Sequence, residues 1–137
     1  MCWKTISSRM LAPTWQRFHS KPMKIIIPDE RGPSWNDFYS GGHWSKRKDA
    51  KDRARQLVRA YLDPNTEPFT VLVDIYITVY FASRPQDSDN ICDKLIIDGL
   101  RPWVIPDDDR RYIRWAATRS EIDKHNPRIE IEVVACE

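Results

Sequence analysis

Carboxylates collect at both ends of one stretch of this 137-residue chain, QDSDNICDKLIIDGLRPWVIPDDD, from Gln86 to Asp109. Asp87 and Asp89 stand near its start, Asp107, Asp108 and Asp109 close it, and Lys94 is its single lysine. On extended chain leaving a strand, residues i and i+2 share a side, with Cα atoms about 7 Å apart. Asp87 and Asp89 placed in this way suit a hard cation such as Mg²⁺. A helix starting at Asn90 puts Asn90, Lys94 and Asp98 on one i, i+4 stripe. Lys94 then stands about one turn from the acids. It either reaches a phosphate held there or pairs with Asp98. A loop at 107–109 that folds back would add a third carboxylate. Three carboxylates complement one or two Mg²⁺ ions in phosphodiester hydrolysis, which then needs neither a histidine base nor a covalent nucleophile.

Two other readings compete with a metal site. A calcium loop of the EF-hand kind starting at Asp87 needs an oxygen ligand at its fifth position and Gly at its sixth. Ile91 and Cys92 stand there, so that reading fails. The remaining rival is a solvated acidic turn, the common fate of three consecutive aspartates.

The elements that must position these groups are legible as patterns. Lys24–Ile27 is a short β-branched run and reads as a first strand. Pro28–Gly42 is a loop rich in Pro, Ser, Asn and Gly. Ser45–Leu62 carries apolar residues at 50, 54, 57, 58, 61 and 62, which is helical spacing, with Ser45 as N-cap. Phe69–Ala82, FTVLVDIYITVYFA, is the strongest strand signal; Asp74 interrupts it without an evident role. Asn90–Leu100 reads as a short helix with Cys92, Leu95, Ile96 and Gly99 on one face. Tyr112–Arg119 and Arg128–Ala135 are two further strands. The order β-loop-α-β-α-β-β predicts an α/β protein of α+β-like character, a single mixed sheet with two main helices packed against it.

The net charge of +2 hides a separation: Lys46, Arg47, Lys48, Lys51, Arg53, Arg55 and Arg59 stand against Asp49 and Asp52 in one segment, while the acids gather at 87–109 and 121–137. A basic face beside an acidic cluster suits a protein that binds a polyanion. Three widely spaced cysteines, Cys2, Cys92 and Cys136, argue against a disulfide framework or a zinc knuckle, and favour a reducing compartment. A hydrophobic content of 41% can fill a core in one domain, and no run is long enough to cross a bilayer. Residues 1–22 are acid-free and aperiodic; they read as a poorly ordered extension, with Met23 as the natural start of a domain spanning 23–137. Their composition also describes a mitochondrial presequence.

The pattern DSDN…K…DGL…DDD resembles the signature of the RusA family of Holliday junction resolvases, found in bacteria and their phages. The segment IPDERGPSWNDFYSGGHWSKRKDAKDR is similar to that family's first strand, Pro-x-Ser-x-Asn loop and basic helix, and RIEIEV sits where the family closes its sheet. The resemblance covers Met23 to the C-terminus. It implies a cytoplasmic homodimer, in a bacterial or phage-infected cell, that cuts four-way DNA junctions with Mg²⁺ or Mn²⁺. Asp87 and Asp89 match the family's Asp-x-Asp metal ligands, Asn90 the Asn that follows them, Lys94 the essential lysine, and Asp108 the remaining ligand, with Asp109 as its alternate. Two departures stand out. Lys94 follows Asn90 by four positions where the family pattern has three, which implies a one-residue slip before the helix; without that slip Asp93 takes the lysine's place. The other is a triple aspartate where many members have two.

A DNA path is expected over Lys46, Arg47 and Lys48, with Arg84, Arg110 and Arg111, joined by Arg101 and Arg114, flanking the acids. Trp35 or Trp44 would stack on an unpaired base or pack in the core or a dimer interface, and His43 would contact phosphate or solvent. The function expected is a Mg²⁺-dependent endodeoxyribonuclease that resolves Holliday junctions in recombination and repair. The alternatives are a nuclease for other branched DNA, such as flaps and forks, and a non-catalytic DNA-binding relic of the fold.

Overall fold

The computed structural model describes residues 22–28, 34 and 44–136, with side chains from 46 onward in the last segment. The N-terminal extension, most of the 28–42 loop, Trp35, His43 and the side chains of Trp44 and Ser45 lie outside the described residues; Ser45 itself falls inside the first helix, which starts at Trp44, rather than at its cap.

Four strands form one mixed sheet: β1 (Met23–Pro28), β2 (Val73–Phe81), β3 (Ile113–Ile122) and β4 (Arg128–Ala135). Their spatial order is β1-β4-β2-β3, with β2–β3 parallel and the other two pairings antiparallel. Helix α1 (Trp44–Ala60) follows β1, and a single 3-10 turn (Ser88–Asn90) and helix α2 (Asp93–Leu100) join β2 to β3. The fold is α+β, with the element order expected from the sequence.

Alternation makes this sheet one-sided. Ile25, Ile131 and Ile77 lie in one cross-strand row and Ile27, Ile129 and Val79 in another, all buried on the same face. Val58 of α1 and Ile96 and Leu100 of α2 join that core. The opposite face carries Lys24, Glu132 and Tyr76 in one row and Glu130 and Thr78 in the next. β2 is central because its VDIYITVYF run offers a buried residue at every second position and pairs on both edges.

Several boundaries move, and β3 runs on to Ile122, three residues past the expected Arg119. The long strand starts at Val73 rather than Phe69, although Phe69 is still held by its N–H donating to the Val104 carbonyl at 2.8 Å. The last turn of α1 closes at Ala60, leaving Tyr61 46% exposed rather than on the buried face. The second helix starts at Asp93, three residues later than expected. Ile91 and Cys92 are both buried just ahead of it, and Ile91 bridges to Ser34 of the N-terminal loop, so this chain is fixed by packing before it is helical.

Candidate functional site

Asp87 and Asp89 do stand just past the end of β2, but extended alternation does not relate them. Asp87 has φ −60° and ψ 139°, and the chain then closes into the 3-10 turn that contains Asp89. Successive residues of such a turn advance by about 120°, so a two-residue step does not return to the same side. The turn forms because Asp, Ser and Asn favour it. The Asn90 N–H donates to the Asp87 carbonyl at 2.9 Å and the Gln86 side-chain amide donates to the Asn90 carbonyl at 3.2 Å. The Thr118 hydroxyl of β3 donates to the Ser88 carbonyl at 2.9 Å and ties the turn to the sheet edge. Both carboxylates are exposed, and neither makes an ion pair among the described residues.

The expected Asn90–Lys94–Asp98 stripe is also corrected. Asn90 ends the 3-10 turn, and Cys92 caps α2, so Asn90 and Lys94 are not partners along one helix. Lys94 and Asp98 share a helix face by spacing but not by exposure: Lys94 points to solvent, whereas Asp98 is 4% exposed. They form no ion pair. The four-residue interval between Asn90 and Lys94 spans Ile91 and Cys92, the non-helical break between turn and helix. That is where a one-residue slip costs least, because no helical register crosses it. Cys92 is buried as anticipated, and burial pushes its thiol up.

The second acidic cluster hangs from a well-anchored loop. Val104 and Ile105 are fully buried, and both N–H groups donate to the Leu100 carbonyl, at 2.7 and 3.3 Å. Downstream, Arg101 Nη1 donates to Asp107 Oδ1 at 2.8 Å and to Asp108 Oδ1 at 3.1 Å. The Asp108 N–H also donates to Asp107 Oδ1, and this bond with the Arg101 contact holds the Asp107 carboxyl below its ordinary value. Asp109 is held separately: Arg111 chelates it, with Nη2 at 2.7 Å from Oδ2, and that contact lowers the carboxyl.

Carboxylate oxygens are the right donors for Mg²⁺ or Mn²⁺. Their arrangement is not yet a metal centre: among the described residues, no group of three or more His, Cys, Asp or Glu side chains is placed to hold one ion. Asp108, the third ligand expected, is held by a guanidinium instead. Protein-family models and curated proteins were both compared with the chain. Neither comparison yields a match.

The basic residues divide in two. Lys46, Arg47 and Lys48 are exposed at the start of α1, with Lys48 3.9 Å from Asp52 in a solvated i, i+4 pair. Arg84 and Arg110 are exposed, and Arg84 has a left-handed φ of 48°. Arg111, Arg101 and Arg114 are engaged with carboxylates. Arg114 forms a two-pronged pair with Asp74, which is 6% exposed; this gives the strand-interrupting aspartate its role. Sequence reasoning places Arg101 merely near the acids. The signal that points further is an arginine directly after a helix, six and seven residues ahead of two aspartates, a spacing that a tight loop closes.

Among the described residues, no helix is long and apolar enough to cross a membrane.

Proposed function

We propose that this chain is a Mg²⁺-dependent, structure-selective endodeoxyribonuclease of the RusA type, acting as a homodimer on four-way DNA junctions. The observation that carries the proposal is the Asp87–Asp89 turn. Asp74, Asp107, Asp108, Asp109 and Asp123 each lean on an arginine. Asp87 and Asp89 do not, yet their backbone is fixed by Thr118, Gln86 and the Asn90 N–H. Exposed acids without arginine partners on a held backbone are suited to a ligand rather than to holding the fold.

In this reading Asp87, Asp89 and Asp108, with Asp109 as alternate, are the carboxylates that take Mg²⁺ or Mn²⁺. The ion's contribution when bound is neutralisation of charge at the scissile phosphodiester. Lys94, exposed on the first turn of α2, supplies a point charge for a phosphate oxygen. Lys46, Arg47, Lys48, Arg84 and Arg110 supply sequence-independent backbone contacts, and Arg111 joins them if it exchanges Asp109 for phosphate.

The Asp89→Asn variant tests the site. Cutting of a synthetic four-way junction in Mg²⁺ is expected to fall by about two orders of magnitude or more, with junction affinity retained. Undiminished cutting rejects the assignment. A panel of flaps, forks and junctions separates the substrates. A second reading, a non-catalytic DNA-binding relic, draws on the observation that three carboxylates do not converge among the described residues. Calorimetric titration with Mn²⁺ that shows no binding to the wild-type chain and its DNA complex would favour it.

A further inference from the structure

Arg101 follows the last residue of α2 and has two acidic neighbours from the loop ahead of it. One nitrogen, Nη1, serves both Asp107 and Asp108. Its Nε is buried with no acceptor among the described residues. One helical turn back, Asp98 is 4% exposed and its side chain makes no hydrogen bond or ion pair among the described residues, yet its charge acts on Arg101. Burial opposes the guanidinium charge, and the Asp107 hydrogen bond together with the charges of Asp108, Asp98 and Asp107 outweighs it. Arg101 is therefore the positive centre of a three-carboxylate cluster, and its own Nε lacks an acceptor among the described residues.

We infer that Arg101 is a resident counter-ion that competes with a divalent cation for Asp108, so that the cation binds only as the guanidinium gives that carboxylate up. The assignment of Asp108 rests on the nuclease reading; the competition does not, because it concerns charge and lone pairs alone. A guanidinium hydrogen-bonded to Asp108 Oδ1 occupies a lone pair that a metal would use, and its charge repels an arriving cation. The charge of Asp98 favours the guanidinium at this position alongside those of Asp107 and Asp108. Arg101 is a positioning residue, one that sets how strongly the site calls for metal.

The competition makes two effects move in opposite directions. In the full chain, Arg101→Gln removes the charge while keeping a donor. The cation-free melting temperature is expected to drop by about 3–6 °C as the loop loses its tie, while Mn²⁺ binds about tenfold tighter by calorimetry. The same variant carrying Asp108→Asn loses that gain. If Arg101 only staples the loop, folded Arg101→Gln binds Mn²⁺ equally or more weakly, which overturns the inference. Should Arg101→Gln fail to fold, Arg101→Lys replaces it. A lysine keeps the charge but carries it on a compact, strongly hydrated ammonium that holds Asp108 less firmly, so intermediate tightening is expected and unchanged affinity again overturns the idea. Junction cleavage is scored separately. Tighter Mn²⁺ binding without cleavage in any form rejects the nuclease reading and retains the competition; cleavage with unaltered Mn²⁺ affinity does the reverse.

Discussion

Asp74 shows how far one residue's role depends on a partner forty positions away. Its carboxylate lies on β2 at 6% exposure, and Arg114 of β3 reaches it through two nitrogens, Nε at 2.9 Å from Oδ1 and Nη2 at 2.5 Å from Oδ2. That contact, opposed by burial and assisted by the Cys136 thiol, holds the Asp74 carboxyl below its ordinary 3.8. A depressed folded-state value means stability that is fully present above the unfolded value and lost as the pH falls through the folded one. Arg114→Gln leaves the buried carboxylate without its main partner, so unfolding free energy at pH 7 is expected to fall by about 1–3 kcal/mol. The gap between wild type and variant should narrow as the pH falls below 3.8 and Asp74 takes up its proton. Urea melts at a series of pH values measure it; a gap independent of pH would mean that the pair contributes packing rather than charge. No local pattern announces this pair. A strand-interrupting aspartate is visible in the sequence, but its arginine is fixed by the register between two parallel strands, which side-chain periodicity alone does not set.

The crossing of α1 and α2 sets where the acidic turn ends and the basic face begins. Gly99 sits at that crossing: a Cβ there would lie 2.8 Å from Val58 Cγ2 and 3.2 Å from the Ala54 carbonyl oxygen. The side chain has some freedom to move, but the backbone oxygen of α1 has little. Gly99→Ala gains helix propensity of up to about 1 kcal/mol, yet overpacking against a fixed backbone costs about 1–3 kcal/mol. Net destabilisation is expected in a urea titration, and Val58→Ala in the same chain should recover part of it. Recovery of none would place the clash at Ala54 alone. It is at this element scale that the sequence is most informative. The 3.6-residue spacing of Leu57, Val58 and Leu62 and the alternation in RIEIEVVA reflect burial on one face, so the sheet, both helices and their order are readable. The start of α2 is not, because Ile91 and Cys92 are buried by contacts outside any helix. A run of apolar residues does not show whether its own turn or a neighbouring loop covers it. For the same reason the Asp87–Asp89 pair is legible by type and position but not by geometry: strand spacing does not extend into the turn that holds Asp89.

Across the molecule, one-sidedness joins the two kinds of charge. Both helices share the buried face of the sheet, and α1, with seven basic residues against two acidic, packs on α2, which follows the acidic turn and carries Lys94. On the nuclease reading, a polyanion bound along α1 would have to extend past α2 to the exposed acids for them to act on its phosphodiester. The lysines at the start of α1 are the natural place to test that path. Lys46 is exposed, and the Lys48–Asp52 pair at 3.9 Å is exposed on both sides, so it contributes little to the fold and releases Lys48 readily. Removing one lysine–phosphate interaction reduces the slope of log affinity against log salt by about 0.9 on duplex DNA. Replacing Lys46 and Lys48 together by Ala is therefore expected to lower the slope for junction binding by about 1.8 per chain, weaken binding at low salt, and leave the urea midpoint nearly unchanged. Fluorescence anisotropy at several salt concentrations gives the slope. An unchanged slope would move the DNA off α1 and onto the Arg84 and Arg110 side of the acids. The same double replacement in an Asp89→Asn background should weaken binding equally, because interactions that only position the DNA backbone are independent of the group that acts on it.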